Sequence, residues 1–296
     1  MEEESDAIIF TSNDHLLKTF KKMDGFRKNS KLSDIVLVVG EKRIEAHRLV
    51  LAAFSDYFYS AMFTGELSEN KKDVVHLTDM DPQAVEALIK YAYTSHIEIR
   101  VDNVENLLSV SYILQIDEVK EACSEFMKHQ LHPSNCLGIR AFADGHGCNE
   151  LFKVADAYTK ERFADVVKSQ EFVLLSAECV AQLLSSDELN VTSESQIFDA
   201  LEKWVEHDEE HRKKFLARLL GLVRLPLLEP DFLVDRVEMS PLFRDIGPCR
   251  ELIIEAMKYQ LLPKRRFQLQ NSRTTPRRST VGKLFAVGGK SRCNQI

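Results

Sequence analysis

Apolar residues recur at two different periods over the first 130 positions. Leu16, Phe20, Met23 and Phe26 return at helical spacing behind the capping candidates Ser12, Asn13 and Asp14, which predicts a helix over 12–29. Just before it, Ala7 to Phe10 is a short apolar piece that reads as a strand. The apolar run from Asp34 to Val39, then Gly40-Glu41, then the alternating Arg43-Ile44-Glu45-Ala46, reads as a β-hairpin. Leu49 to Phe63 predicts a pair of helices broken near Ser55-Asp56, and Asp73 to Leu77 a further strand. Asp81-Pro82 opens a helix with Val85, Leu88, Ile89 and Ala92 on its apolar stripe. Asp is the N-cap there, and Pro sits where its missing N–H is harmless. Ile97 and Ile99 alternate with Glu98 and Arg100 as in a half-buried strand. Asp102 and Asp117 are read as caps of two more helices, the first carrying Val104, Leu107, Leu108 and Leu114.

Beyond Leu131-His132-Pro133 the pattern changes. Up to about residue 260 only helical periods remain, at Asn135–Asp144, Cys148–Phe163, Ala177–Leu184, Glu194–His207, Lys213–Gly221 and Pro248–Gln260, with a capping box at Ser193-x-x-Gln196. From Pro263 the chain is basic, polar and aperiodic, which reads as a linker, and it closes on the apolar run Leu284 to Val287 with Gly288-Gly289. The predicted fold class is therefore an α+β domain followed by an all-α one.

Charge sharpens this division. The formal net charge of −7 hides a split: no acid follows Glu255, whereas ten bases do, leaving 29 bases against 46 acids in residues 1–255. An acidic body repels phosphate, so a nucleic-acid partner is not expected. The basic end is read as a solvated tether rather than a nuclear signal or an anion-binding patch. No apolar run approaches the ~20 residues of a membrane span, and the acidic Met1-Glu2-Glu3-Glu4 is unlike a signal peptide. Six cysteines without a CxxC pair are expected to stay reduced, in a cytoplasmic setting that allows cytoskeletal or nuclear association.

Enzymatic motifs are missing: there is no GxGxxG, P-loop, HExxH or GxSxG. A catalytic site assembled in space is the one enzymatic reading left. His129, His132 and Cys136 lie close in sequence but fall short of four zinc ligands, so they are read as surface histidines and a buried thiol. No cofactor or metal is expected.

Several ordered blocks resemble a known family. Leu32-Ser33-Asp34-Ile35-Val36-Leu37-Val38-Val39, Ala46-His47-Arg48-Leu49-Val50-Leu51-Ala52-Ala53, Ala61 to Glu69 and Tyr91-Ala92-Tyr93-Thr94 look like a BTB (POZ) domain. His132 to Ala143 and Val223-Arg224-Leu225-Pro226-Leu227-Leu228 resemble a BACK domain. Glu255 to Tyr259 and Arg273-Thr274-Thr275-Pro276-Arg277 are similar to the segment leading into a kelch propeller. The chain is thereby identified as kelch-like, with an N-terminal strand and dimerisation helix over 1–31, BTB over 32–131, BACK over 132–260, and a basic linker with one kelch-type strand over 261–296.

The resemblance implies a homodimeric, non-catalytic substrate adaptor of a cullin-3 ubiquitin ligase. Leu67-Ser68-Glu69 matches the family's hydrophobic-x-Glu cullin loop, in which an apolar side chain fills a pocket and a carboxylate fixes register. Met62, Leu114, and Asn135, Leu137 and Ile139 of the first BACK helix join it as candidate cullin contacts, with core packing the other reading for the apolar ones. Leu16, Leu17, Phe20 and Met23 would pack across a two-fold axis, the alternative being packing within one chain. Asp34 and Arg48 match a charged pair near that axis, or else support the fold. Ile8, Ile9 and Phe10 form a candidate exchanged strand pairing with Ile97 to Ile99 of the partner. A kelch blade needs four strands, so a single strand at the end makes no propeller, and the chain is expected to be truncated. An unknown substrate protein, a second copy and other BTB subunits are the further partners. Two other readings stand beside this one: an actin-associated scaffold dimerised through BTB, and a truncated form that modulates full-length subunits.

Overall fold

A computed structural model describes residues 10–63 and 73–278. Ile8, Leu67, Glu69 and the run Leu284 to Gly289 lie outside the described residues. The chain divides into two compact units. The first comprises the residues up to Gln130 together with His146–Leu151. The second comprises Leu131–Gly145 together with Phe152 onward.

The first unit is built on a three-stranded sheet in the order β2-β1-β3, with β1 Ile35–Val39, β2 Lys42–Ala46 and β3 Val74–His76. The β1–β2 hairpin pairs Val39 with Lys42, so its loop is Gly40-Glu41, and Gly40 takes a positive φ of 57° that favours glycine. β3 joins the other side of β1 in parallel, Val36 opposite Val74. Central β1 buries Ile35, Leu37 and Val39 on one face. Around the sheet lie α1 His15–Lys28, α2 Arg48–Phe54, α3 Asp56–Phe63, α4 Pro82–Thr94, α5 Val104–Ile113 and α6 Asp117–His129. Asp81 caps α4 as expected, its Oδ1 accepting from the N–H groups of Gln83 at 3.1 Å and Ala84 at 2.7 Å.

Two expected caps differ. Asn103, not Asp102, precedes α5. The Asp102 carboxylate is taken by the Arg100 guanidinium at 3.0 Å, a stronger charge-assisted partner than an exposed N–H. Asp117 lies inside the first turn of α6 and pairs with Lys120. Residues 96–100 keep the predicted alternation, with Ile97 and Ile99 half-buried and Glu98 and Arg100 exposed, but belong to no ladder among the described residues.

The second unit has no strand among its described residues. Its helices are α7 Cys136–Gly145, α8 Asn149–Glu161, α9 Phe163–Val166, α10 Gln170–Val173, α11 Ala177–Ser185, α12 Glu194–Glu206, α13 Glu209–Arg212, α14 Leu216–Leu220, α15 Pro230–Phe232, α16 Pro241–Arg244 and α17 Gly247–Leu261. The first three residues of α8 belong to the first unit. A π-helical stretch, Leu233–Glu238, follows α15. Trp204 anchors the core: its Nε1 donates to the Leu175 carbonyl at 2.9 Å, and the Arg212 guanidinium lies 4.2 Å from its ring centroid. The capping box at the start of α12 is not formed. Gln196 Oε1 instead accepts from Thr192 N–H at 3.0 Å, and Ser193 Oγ meets Ser195 Oγ.

The largest departure is at the end of the described basic stretch: it is exposed over 262–268, as a solvated linker would be, but 271–278 is bonded to the helical unit. Pro263–Gln268 and Ser272–Thr274 form 3-10 turns. Asn271 makes a reciprocal capping box with Thr274, Arg273 pairs with Glu255 at 2.6 Å, and Arg277 is fully buried. Periodicity is blind to such a segment, because specific polar bonds hold it rather than an apolar stripe.

Burial alone would raise the carboxyls of Asp156 and Glu255. Bonds from Lys160 and Arg140 to the first, and from Arg273 and Asn271 to the second, outweigh burial and hold both below the usual carboxylate range. Groups lowered on folding stabilise the native state above their unfolded pKa, and that stabilisation fades as pH falls through the folded value. The melting temperature of the helical unit should therefore hold from neutral pH to about pH 5 and then fall toward pH 3, a decline that Asp156→Asn with Glu255→Gln should flatten in calorimetry.

Candidate functional site

The candidate residues of the first unit gather on two surfaces. The first is α1. Its only fully buried side chain is an aspartate, Asp24, while Leu16 is 71% and Leu17 60% exposed, and Phe20 and Phe26 are exposed as well. Asp24 is held by Arg27 at 2.8 Å and Lys28 at 2.6 Å. Burial would raise its carboxyl, but these bonds outweigh it and lower it. Arg27 also lies over the Tyr93 ring at 5.2 Å, so the C-terminal half of α1 is fastened to α4 through charge. The N-terminal half offers its leucines outward. Packing of this helix within the one chain therefore leaves its apolar face uncovered, with Met23 half-buried at its edge.

Beside that face runs an apolar groove. Leu16, Leu17 and Phe20 line it with Val50, Ala53 and Phe54 of α2 and Ala92 and Tyr93 of α4. Sequence reading found the leucines but not the α2 side of the groove, whose apolar residues are indistinguishable by period from core. Phe10, 86% exposed, carries no strand assignment and is the one described residue of the expected exchanged strand.

Tyr93 forms the groove's floor. Its hydroxyl accepts from His47 N–H at 2.9 Å and lies 2.9 Å from His47 Nδ1, and burial pushes the phenol up to about 12. Asp34 and Arg48 do come together, through main-chain groups. Asp34 Oδ1 accepts from Arg48 N–H at 2.7 Å, at the start of α2, and Arg48 Nε donates to the Asp34 carbonyl at 3.3 Å.

The second surface concerns the α3–α5 corner. Ser55 Oγ donates to the Leu114 carbonyl at 2.5 Å and ties the start of α3 to the end of α5. Met62 and Leu114 are fully buried there, so as the chain stands they are core rather than surface. Exposed apolar side chains at this corner are Tyr59, Tyr112 and Ile113, which sequence reading did not single out. Amphipathic period assigns such residues only to a helix's far face; their exposure follows from how the helices meet.

In the second unit, Leu137 and Ile139 are buried on the inner face of α7, again core in the chain by itself. Asn135 is half-buried and structural: its Oδ1 accepts from His132 N–H at 2.8 Å in the turn before α7. The Glu171 carboxylate accepts from Leu137 N–H at 3.1 Å and Gly138 N–H at 3.2 Å, fixing that helix start. A Cβ on Gly138 would come within 2.7 Å of Glu171 Oε1, so any other residue there would have to move that carboxylate aside. Cys136 is buried and His132 bonds Ser134. Among the described residues no three His, Cys, Asp or Glu side chains form a metal-binding group, and no helix is long and apolar enough to cross a membrane.

Loss of the Tyr93 hydroxyl removes the acceptor of a part-buried N–H. Tyr93→Phe should therefore destabilise the first unit by about 1–3 kcal/mol in urea, with unchanged slope.

Comparison with known proteins gives these surfaces a context. The BTB/POZ domain family profile matches residues 23–131, and that of BACK (BTB And C-terminal Kelch) matches residues 136–238. The chain is 52% identical over 281 residues to Kelch-like protein 5 of Homo sapiens, an alignment covering 95% of the chain and 37% of the relative. It is 49% identical over 275 residues to Kelch-like protein 4 of Homo sapiens, covering 93% and 38%. It is 47% identical over 289 residues to Kelch-like protein 1 of Mus musculus, covering 98% and 38%. The chain thus spans less than two fifths of the length of these relatives.

Proposed function

We propose that this chain, which belongs to the kelch-like family of BTB–BACK proteins, pairs with a second copy of itself and serves as the non-catalytic adaptor of a cullin-3 ubiquitin ligase in the cytoplasm. The observation that carries the reading is the uncovered apolar face of α1 beside its groove. A helix that buries an aspartate and exposes leucines gains nothing from its own domain for those leucines. Moving a leucine or phenylalanine fully out of water contributes about 1.5–3 kcal/mol, and a two-fold axis counts each such residue twice. In this reading the segment 96–100, outside any described ladder, would pair with Ile8, Ile9 and Phe10 of the partner.

Cullin recognition in this reading falls to Leu67 and Glu69, together with the exposed Tyr59, Tyr112 and Ile113 of the α3–α5 corner. Met62 and Leu114 support that corner from within. Asn135, Leu137 and Ile139 shape the first BACK helix, which would extend the grip. Aromatic anchors with an aliphatic plug and one carboxylate are the composition of a protein–protein hot spot. The ubiquitination substrate would be held by a kelch propeller, which the described residues do not include.

Two measurements separate the parts of the proposal. Leu16→Asp with Leu17→Asp should reduce the mass found by light scattering from two chains to one while circular dichroism stays native; a dimer of unchanged mass refutes the interface. Leu67→Asp with Glu69→Ala should weaken binding of the cullin-3 N-terminal domain by about 30-fold or more, as for a hot-spot residue, and leave the dimer intact. Undiminished binding by that folded double variant refutes the loop assignment.

A further inference from the structure

Arg277 is the most completely coordinated polar side chain described in the molecule. Its Nε donates to Glu194 Oε1 at 2.7 Å. Its Nη1 donates to the carbonyls of Leu184 at 2.8 Å and Ser186 at 2.7 Å. Its Nη2 donates to Glu194 Oε2 at 3.3 Å and the Leu222 carbonyl at 3.2 Å. A guanidinium has five N–H donors in a fixed plane, and all five are used here. The side chain is 0% exposed and that of Glu194 is 3% exposed, so the pair is out of water.

The receiving groups come from 55 to 93 residues away in sequence and share one property. Leu184 and Ser186 lie at the C-terminal end of α11, and Leu222 lies just past α14, where helices present carbonyls without intrahelical partners and a partial negative charge. Glu194 opens α12 and adds a full negative charge. Two helix C-termini and one carboxylate thus converge on a single point before any cation is considered. An ammonium offers three donors without a planar fork and could not satisfy the same set.

Around this point the segment 271–278 is fastened at further places. Arg273 reaches Glu255 at 2.6 Å, Arg224 Nη1 donates to the Thr275 carbonyl at 2.6 Å, and Arg278 N–H donates to the Asp187 carbonyl at 3.0 Å. The Arg224 guanidinium also pairs with Asp187, and the Arg224 N–H donates to Glu194 Oε2 at 3.1 Å. The segment lies on the helical unit as a bound peptide would, with one buried side chain as its peg.

We propose that the pocket formed by Glu194 and the carbonyls of Leu184, Ser186 and Leu222 is a guanidinium receptor, and that Arg277 occupies it as a latch holding the strap 271–278 closed on the helical unit. Closed, the latch fixes the point and direction at which the chain leaves this unit. Open, it leaves a preformed site for an arginine side chain. Because the buried carboxylate stays behind when the cation is removed, opening is unfavourable without a replacement cation.

Chemical rescue of the full chain tests this. Arg277→Gly should make the strap at least about tenfold more sensitive to subtilisin, since local opening governs cleavage. Millimolar methylguanidinium should restore protection saturably, whereas methylammonium at equal ionic strength should not, and Arg277→Lys should behave like Arg277→Gly. Protection in Arg277→Gly equal to wild type, or equal rescue by both cations, would overturn the proposal. If that variant fails to fold, arginine-labelled wild type decides by NMR: separate, slowly exchanging Nη protons for Arg277 are expected, and a single averaged, rapidly exchanging signal refutes the latch.

Discussion

A charge withdrawn from water is stable in a protein only when its partner is withdrawn with it. Each unit of this chain is organised around that constraint. Asp24 goes inside with Arg27, while the exposed Lys28 reaches it from the surface, and the set orients α1. Asp156 takes Arg140 and Lys160, joining α7 to α8. Glu194 takes Arg277 and the Arg224 N–H, and thereby decides where α11, α12, the turn after α14 and the strap meet. Apolar packing around Trp204 or β1 supplies the larger share of burial, but it is non-directional. The buried charges, by contrast, bond specific partners in fixed directions.

The same logic makes α1 a half-finished element. Its charged residues secure one end to Tyr93 and α4, so the helix is held in place without using its leucines. What remains outward is apolar, and beside it α2 and α4 provide an apolar trough. Attachment of α1 to its own unit and its exposed apolar face are thereby carried by different residues of one helix.

Much of the fold was legible where local chemistry and tertiary packing agree. The Gly40-Glu41 hairpin, the Asp81-Pro82 helix start and the change of period near residue 132 all follow from short-range rules. Capping by Asp102 and by Ser193 was misread because a competing partner, Arg100 in one case and Ser195 in the other, lay two residues away. Short helices such as α9, α10 and α13 left too few residues to show a period. At the candidate site, the exposed leucines of α1 were legible as a helical face but not as an uncovered one. Met62 and Leu114 looked like surface only through likeness, and the structure gives them interior positions. Arg277 reads as tether because a basic, aperiodic stretch resembles a solvated one, and nothing nearby in sequence reveals a carboxylate 83 residues earlier.

The parallel pairing of β1 with β3 has a consequence for the chain between them. Parallel strands require a crossover, and here it runs through β2, α2, α3 and the nine residues 64–72 before β3. The entropy of closing such a connection grows only logarithmically with its length, about 0.6 kcal/mol for each doubling. A crossover between β1 and β3 can therefore differ by several residues while the sheet closes almost as readily. Changes of length in this crossover weigh little on the strands it joins.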